Sequence, residues 1–146
     1  MLPLNIPIET LEQGAIIPQY AHEGDAGLDV CSTADITIEP FERVLIPTGL
    51  RMAIPCGYGG FVLPRSGLAL KKGLSLVNSP GLIDSNYRGE IKIIAINLDP
   101  ANSIEIHLGD RVAQLVIMKV ENVSFDFSHD LSKTVRGSGG FGSSGV

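Results

Sequence analysis

This chain never goes long without a backbone breaker. Its 146 residues include 17 glycines and 9 prolines, and between those breaks the side chains alternate with a period of two rather than recurring at helical spacing. Ile36 and Ile38 flank Thr37 and stop at Pro40. Leu50, Met52 and Ile54 alternate with Arg51 and Ala53 before Pro55 and Gly57. Phe61, Val62 and Leu63 run into Pro64. Residues 91–98 are β-branched and longer, and Ile104, Ile106 and Leu108 alternate with Glu105 and His107. Residues 112–120 are almost wholly apolar apart from Gln114 and Lys119. Short strands at such spacing predict an all-β sandwich or barrel. Only one short helix is predicted, over residues 67–72, with Ser66 as its N-cap, Lys71 and Lys72 in its last turn and Gly73 as its terminator.

The length fits one domain, able to bury roughly 70% of its unfolded surface without a disulfide or a metal to hold it. A net charge of −5 and a pI of about 5.1 oppose DNA or RNA partners, which select for a basic face. They leave room for a small anion held by a few local arginines. The two cysteines, Cys31 and Cys56, have no second Cys or His at metal-ligand spacing. No apolar run of about 18 residues is present to span a membrane, and the opening MLPLNIPIE has no basic region leading into an apolar block. A soluble cytoplasmic protein is the expectation.

The chemistry concentrates in residues 79–90, SPGLIDSNYRGE, set between the strand-like runs 73–77 and 91–98. A structural turn needs Pro80 and Gly81 for its bend and little more. This hairpin adds Asp84, Tyr87, Arg88 and Glu90, with the amide of Asn78 just before it. Asp84 can act as a general base towards a water, or simply cap the turn. Four other groups accompany the hairpin. In Asp25-Ala26-Gly27-Leu28-Asp29, two acids flank a small-residue turn, and Asp29 is placed to support a hydrated cation such as Mg²⁺; solvated turn carboxylates are the plain alternative. Pro64-Arg65-Ser66-Gly67 opens the short helix with an arginine fork and a hydroxyl, a combination suited to phosphate. Gly109-Asp110-Arg111-Val112-Ala113-Gln114 brings Arg111 and Gln114 into an apolar strand, which costs free energy unless both are hydrogen-bonded. Arg111 reads as the partner of Asp110 in a polar network, and Gln114 as the better ligand contact. Last comes the tail, RGSGGFGSSGV (136–146), one arginine and one aromatic among glycines and serines. Ligand contacts could order it, although Gly-Ser-Ser-Gly also looks like a synthetic linker.

Taken in order, AGLD, PRSGLA, NSPGLIDSNYRGE, GDRVAQL and RGSGGFGSSG resemble the five motifs of the homotrimeric dUTP pyrophosphatases, from about Tyr20 to the end of the chain. The resemblance implies a distorted jelly-roll, β-clip-type barrel over residues 1–135, a flexible active-site arm over 136–146, and three shared sites in a homotrimer. It implies hydrolysis of dUTP to dUMP and pyrophosphate by attack of water on the α-phosphorus, which limits uracil incorporation into DNA and supplies dUMP for thymidylate synthesis. Carried over residue by residue, it gives Asp84 as general base. Main-chain groups of Gly81, Leu82 and Ile83 read uracil with Asn78, and Tyr87 excludes a 2′-hydroxyl. Lys92 also lines the substrate. Arg65, Ser66, Gly67 and Gln114 hold phosphates, Arg136 the terminal phosphate, and Phe141 with Gly142 covers the base. Mg²⁺ rides on the triphosphate, with Asp29 supporting it through water. Asn86 departs from the pattern, standing where many members carry a second aspartate. A dCTP deaminase is the nearest alternative on the same fold, and a non-catalytic nucleotide-sensing trimer is an alternative of another class. The Gly-Leu-Ile-Asp-Ser-Asn-Tyr hairpin, with Asp84 and Gln114 intact, favours dUTP hydrolysis.

Overall fold

The computed structural model describes residues 3–141. Ten strands and one helix follow in the order β1 (Ile8–Thr10), β2 (Leu28–Cys31), β3 (Ile36–Ile38), β4 (Arg43–Met52), β5 (Tyr58–Leu63), α1 (Ser66–Lys72), β6 (Leu74–Leu76), β7 (Gly81–Ile83), β8 (Ile91–Asn97), β9 (Ile104–Ile106) and β10 (Arg111–Lys119). They form two four-stranded sheets, β1-β4-β8-β6 and β2-β10-β5-β7, and a small ribbon, β3-β9. Every named pairing is antiparallel. The fold is the expected jelly-roll-like, mostly-β one with a single short helix. No helix of the described residues is long and apolar enough to cross a membrane.

Alternation explains how the sheets meet. In β8, Ile91, Ile93, Ala95 and Asn97 are buried while Lys92 and Ile94 face out. Ile46 and Leu50 of β4 join them, and Val30, Val62, Val112, Ala113 and Leu115 supply the opposing sheet. Ile38, Ile104 and Ile106 bring the ribbon into the same core. Three polar side chains lie fully inside, Ser32, Thr48 and Asn97, each 0% exposed. Asn97 Nδ2 donates to the carbonyls of Ile38 (2.9 Å) and Asn102 (2.8 Å), so it satisfies itself while fastening the ribbon to the end of β8.

Several expected boundaries move. β4 begins at Arg43, well before the Leu50–Ile54 alternation, because Pro47 and Gly49 disguise its first half. Pro47 is tolerated there because β1 pairs only with Leu50, Arg51 and Met52, and among the described residues no strand is paired beside Pro47 on the outer side of β4. The backbone contact there uses its carbonyl, which accepts the Thr33 N–H at 3.0 Å. β5 starts at Tyr58 and contains Gly59 and Gly60. A Cβ at Gly60 would come within 2.9 Å of Ile54 Cδ1 and 3.2 Å of Ile83 Cβ, so glycine lets β5 and β7 close up. The helix starts at Ser66, and its N-cap is Arg65 in extended conformation with no side-chain cap bond. Ser66 is therefore inside the first turn rather than capping it. Its C-terminus is as expected: Gly73 is left-handed at φ 71°, and its N–H donates to the Ala69 carbonyl.

Candidate active site

Residues 79–90 do more than turn. β6 and β8, the shoulders of the hairpin, pair in one sheet, Leu76 opposite Ala95. Between them the chain crosses to the other sheet, where β7 pairs with β5, Gly60 opposite Ile83 and Val62 opposite Gly81. The loop therefore straps the two sheets together. The Ser79–Pro80 peptide is cis, and Gly81 lies in a strand rather than at a left-handed turn position. β7 is the outermost strand of its sheet, so the hydrogen-bonding edge away from β5 has no strand on it. A Cβ at Gly81 would lie 3.3 Å from Asn78 Nδ2, so the asparagine amide sits against the face of β7 at Gly81.

One cavity of about 170 Å³ gathers Asn78, Gly81, Leu82, Ile83, Asp84, Tyr87 and Lys92, with Glu90 at its side. Asp84 is exposed, and its main-chain carbonyl accepts the Tyr87 N–H at 3.1 Å. The Tyr87 hydroxyl donates to the Glu90 carbonyl at 2.8 Å. Arg88 turns away, donating to the carbonyls of Ser85 and Tyr87, both at 2.7 Å. It secures the hairpin tip and is no free cation.

A second, larger depression of about 490 Å³ holds Asp29, Arg65, Ser66, Gly67 and Gln114, with Asp25, Lys71 and Lys72 around it. It shares no lining residue with the first. Asp29 sits between two guanidinium groups: Arg65 Nε is 2.9 Å from Oδ1 and Arg111 NH1 is 3.2 Å from Oδ2. Arg65 also donates to the Arg111 carbonyl at 3.1 Å. The expected Asp110–Arg111 pair is thus replaced by Asp29–Arg111. Asp110 is already engaged, its Oδ2 accepting the His107 N–H at 2.8 Å and lying 3.5 Å from the His107 ring. Nor is Arg111 buried; its side chain is 54% exposed. Gln114 faces Asp29 on one side and Leu63 on the other, because β10 is paired on both edges there. Its Nε2 donates to the Pro64 carbonyl at 2.8 Å, and its Oε1 would collide with any Cβ on Gly27. A Cβ on Gly67, by contrast, would stand in open space. Nothing among the described residues requires that glycine.

Burial pushes the Cys31 thiol, at the end of β2, above its usual range, and the neighbouring Asp29 carboxylate adds to the effect. Among the described residues no group of three or more His, Cys, Asp or Glu side chains is placed to hold a metal. Each Asp29 oxygen has one guanidinium partner and keeps a further lone pair. That suits contact with a metal-bound water rather than direct ligation.

Residues 121–141 line neither depression. Beyond β10, the hydrogen bonds of residues 121–141 run only within that segment, among the described residues. Arg136 Nε donates to the Gly139 carbonyl at 2.8 Å, and Phe141 is wholly exposed at φ 51°. Gly142 lies outside the described residues. None of the sequence motifs covers residues 121–135. Val123, Phe125 and Phe127 alternate with Ser124, Asp126 and Ser128 there, and all three apolar side chains are exposed. That alternation was the signal that could have drawn attention to them.

The sequence profile of the dUTPase family matches residues 13–145. The chain belongs to the dUTPase family. It is 54% identical over 142 residues to the deoxyuridine 5′-triphosphate nucleotidohydrolase of Rhodococcus erythropolis, covering 97% of this chain and 87% of that protein. Among solved structures, the dUTPase of Staphylococcus bacteriophage 80alpha with dUPNHPP superposes at a TM-score of 0.89, with 30% identity over 97% of this chain and 99% of the other. A mutant dUTPase from phage phi11 of S. aureus, whose structure reveals the coordination of a structural Mg(II) ion, superposes at 0.83 with 26% identity, covering 89% of this chain and 100% of that one.

Proposed function

We propose that this member of the dUTPase family hydrolyses dUTP to dUMP and pyrophosphate, and so limits uracil in DNA while supplying dUMP for thymidylate synthesis. The observation that carries the reading is the uncovered edge of β7 beside Asn78, with Asp84 and Tyr87 in the same cavity. A free strand edge offers N–H and C=O groups in alternation, which a uracil ring can pair with much as it pairs with another base. The main-chain groups of Gly81, Leu82 and Ile83 are assigned that role, with Asn78 beside them. Tyr87 stands against the sugar, and Lys92 completes the lining.

Asp84 takes a proton from the attacking water as the new oxygen–phosphorus bond forms at the α-phosphorus. The bond from that phosphorus to the oxygen leading to the β-phosphate breaks, and pyrophosphate leaves with that electron pair. Arg65, Ser66, Gly67 and Gln114 hold phosphate oxygens, and charged donors fixed in place favour the growing negative charge of the leaving group. Asp29 would support a Mg²⁺ carried on the triphosphate through water, and the metal would supply further charge neutralisation. Arg136, with Phe141 and Gly142, is assigned to close the site, in an arm that begins near residue 136.

We infer further that the working unit is a homotrimer. Support comes from the separation of the hairpin residues and the phosphate-seat residues into two depressions, with the described residues of the arm in neither. Exposed Val123, Phe125 and Phe127 also suit burial against another subunit. A pyrophosphate-release assay with Mg²⁺ across dUTP, dTTP, dCTP and UTP tests the activity. Strong preference for dUTP is expected, with label from isotopic water appearing in dUMP. No release from dUTP, label in pyrophosphate, or ammonia from dCTP overturns it. A monomeric mass by light scattering ends the trimer reading.

A further inference from the structure

Glu90 stands where the hairpin returns into β8, and it grips in two directions. Its main-chain carbonyl accepts the Tyr87 hydroxyl at 2.8 Å. Its carboxylate, with the side chain 23% exposed, lies against the neighbouring strand β4: Oε1 accepts the Gly49 N–H at 3.1 Å, and Oε2 is 3.2 Å from Lys92 Nζ.

The Gly49 amide is available because β4 bulges at this point. Pro47 opposes Lys92 and Leu50 opposes Ile91, so Thr48 and Gly49 are surplus to the ladder. The bulge is itself firmly set. Buried Thr48 donates to the Ile91 carbonyl at 2.5 Å, and the Gly49 carbonyl accepts the Leu11 N–H at 2.7 Å. Gly49 is left-handed at φ 63°, and a Cβ there would lie 2.9 Å from both Ala15 Cβ and Glu12 Cγ. The Tyr87 ring in turn packs on the backbone of Gly89, where a Cβ would be 2.7 Å from Cζ.

Steric exclusion works only if the wall does not yield. A ring on an exposed hairpin could swing aside to admit one extra hydroxyl unless something holds it. We propose that Glu90 is a specificity-positioning residue, bolting Tyr87 to the β4 bulge so that the ring stays against the 2′ position of the sugar. The proposal rests on the assignment of Tyr87 to the sugar made above. Glu90 need not touch substrate to act in this way. Its main-chain carbonyl tethers the ring, and its side chain fixes where that carbonyl sits.

The test compares kcat/KM for dUTP and UTP in wild type, Tyr87→Ala, Glu90→Ala, Glu90→Gln and the double Ala variant. Glu90→Ala is expected to narrow the dUTP:UTP ratio by about tenfold, short of the ~100-fold that a full 1 Å misplacement can cost. Glu90→Gln keeps an acceptor for the Gly49 amide and should restore most of the ratio. Tyr87→Phe, which keeps the ring and loses the tether, should behave like Glu90→Ala. In the double variant, Glu90→Ala should add nothing to the loss caused by Tyr87→Ala. Should Glu90→Ala fail to fold, Glu90→Asp, with its carboxylate withdrawn by one methylene, reads the same ratio. If Tyr87→Ala narrows the ratio and the Glu90 variants do not, the positioning role is wrong and the Tyr87 assignment stands. If Tyr87→Ala also leaves it unchanged, sugar selection lies elsewhere and both fall.

Discussion

The hairpin and the tail both belong to the proposed site, yet the chain builds them in opposite ways. The hairpin is tied to one sheet through β6 and β8 and to the other through β7, and its tyrosine and arginine are spent on its own carbonyls. The tail, from residue 121 on, makes hydrogen bonds only with itself among the described residues, and Phe127 meets no aromatic except His129, at 5.0 Å. Discrimination between bases and sugars needs a surface that is set before the ligand arrives, because a yielding pocket admits the wrong one. Closure needs the reverse, since a permanently shut site would admit nothing. Keeping the tail free defers its ordering entropy, about 1–2 kcal/mol per fixed residue, until ligand contacts can offset it.

Breaking the chemistry while leaving both regions intact should give the largest effect. Asp84→Asn keeps the shape of the hairpin and removes a basic oxygen, and kcat for pyrophosphate release should fall by about 10²–10⁴-fold with KM little changed. Near-normal turnover would return Asp84 to a turn residue. Removing the tail comes next. Truncation after Val135 deletes a charge-assisted contact, a stacking ring and the water barrier together, and should lower kcat/KM for dUTP by about 100-fold or more. Its melting curve should match that of the intact chain, because among the described residues no core side chain lies beyond β10. Unchanged kcat/KM would make the tail a mere extension. Phe141→Ala isolates the ring and should cost about 1–3 kcal/mol of transition-state stabilisation, again from kcat/KM. The smallest effect sharpens the rigid side of the comparison. A thiol reagent near neutral pH should modify exposed Cys56 and spare Cys31, whose raised pKa and burial keep it a protonated thiol. Mass spectrometry of the labelled protein reads this directly, and fast labelling of Cys31 would show that β2 opens.

Much of this architecture was legible because alternation reports a half-buried strand wherever no breaker interrupts it, as in β3 and β9, and because the apolar, β-branched runs of β8 and β10 are long enough to read as strands. The start of β4 was hidden by Pro47, which is acceptable because, among the described residues, no strand is paired with that stretch of β4 on its outer side. β7 was hidden more completely: Gly81, Leu82 and Ile83 between Pro80 and Asp84 read as a turn, and only the distant partner β5 makes them a strand. The motif residues of the candidate site were legible one cluster at a time. Their division between two depressions was not, because which clusters share a wall depends on sheet order. The Asp29–Arg111 pair eluded the reading for the same reason. Asp110 was the sequence neighbour, but the antiparallel register of β2 and β10 brought Asp29 to the arginine instead.

The crossing of the hairpin from one sheet to the other makes base recognition a report on how the two sheets are packed. β7 pairs with β5, while the strands that flank it in the chain, β6 and β8, pair with each other in the opposite sheet. A change that parts the sheets while leaving each ladder paired would therefore pull β7 away from its own shoulders. Such a chain would keep most of its β-sheet circular dichroism and lose its grip on a pyrimidine.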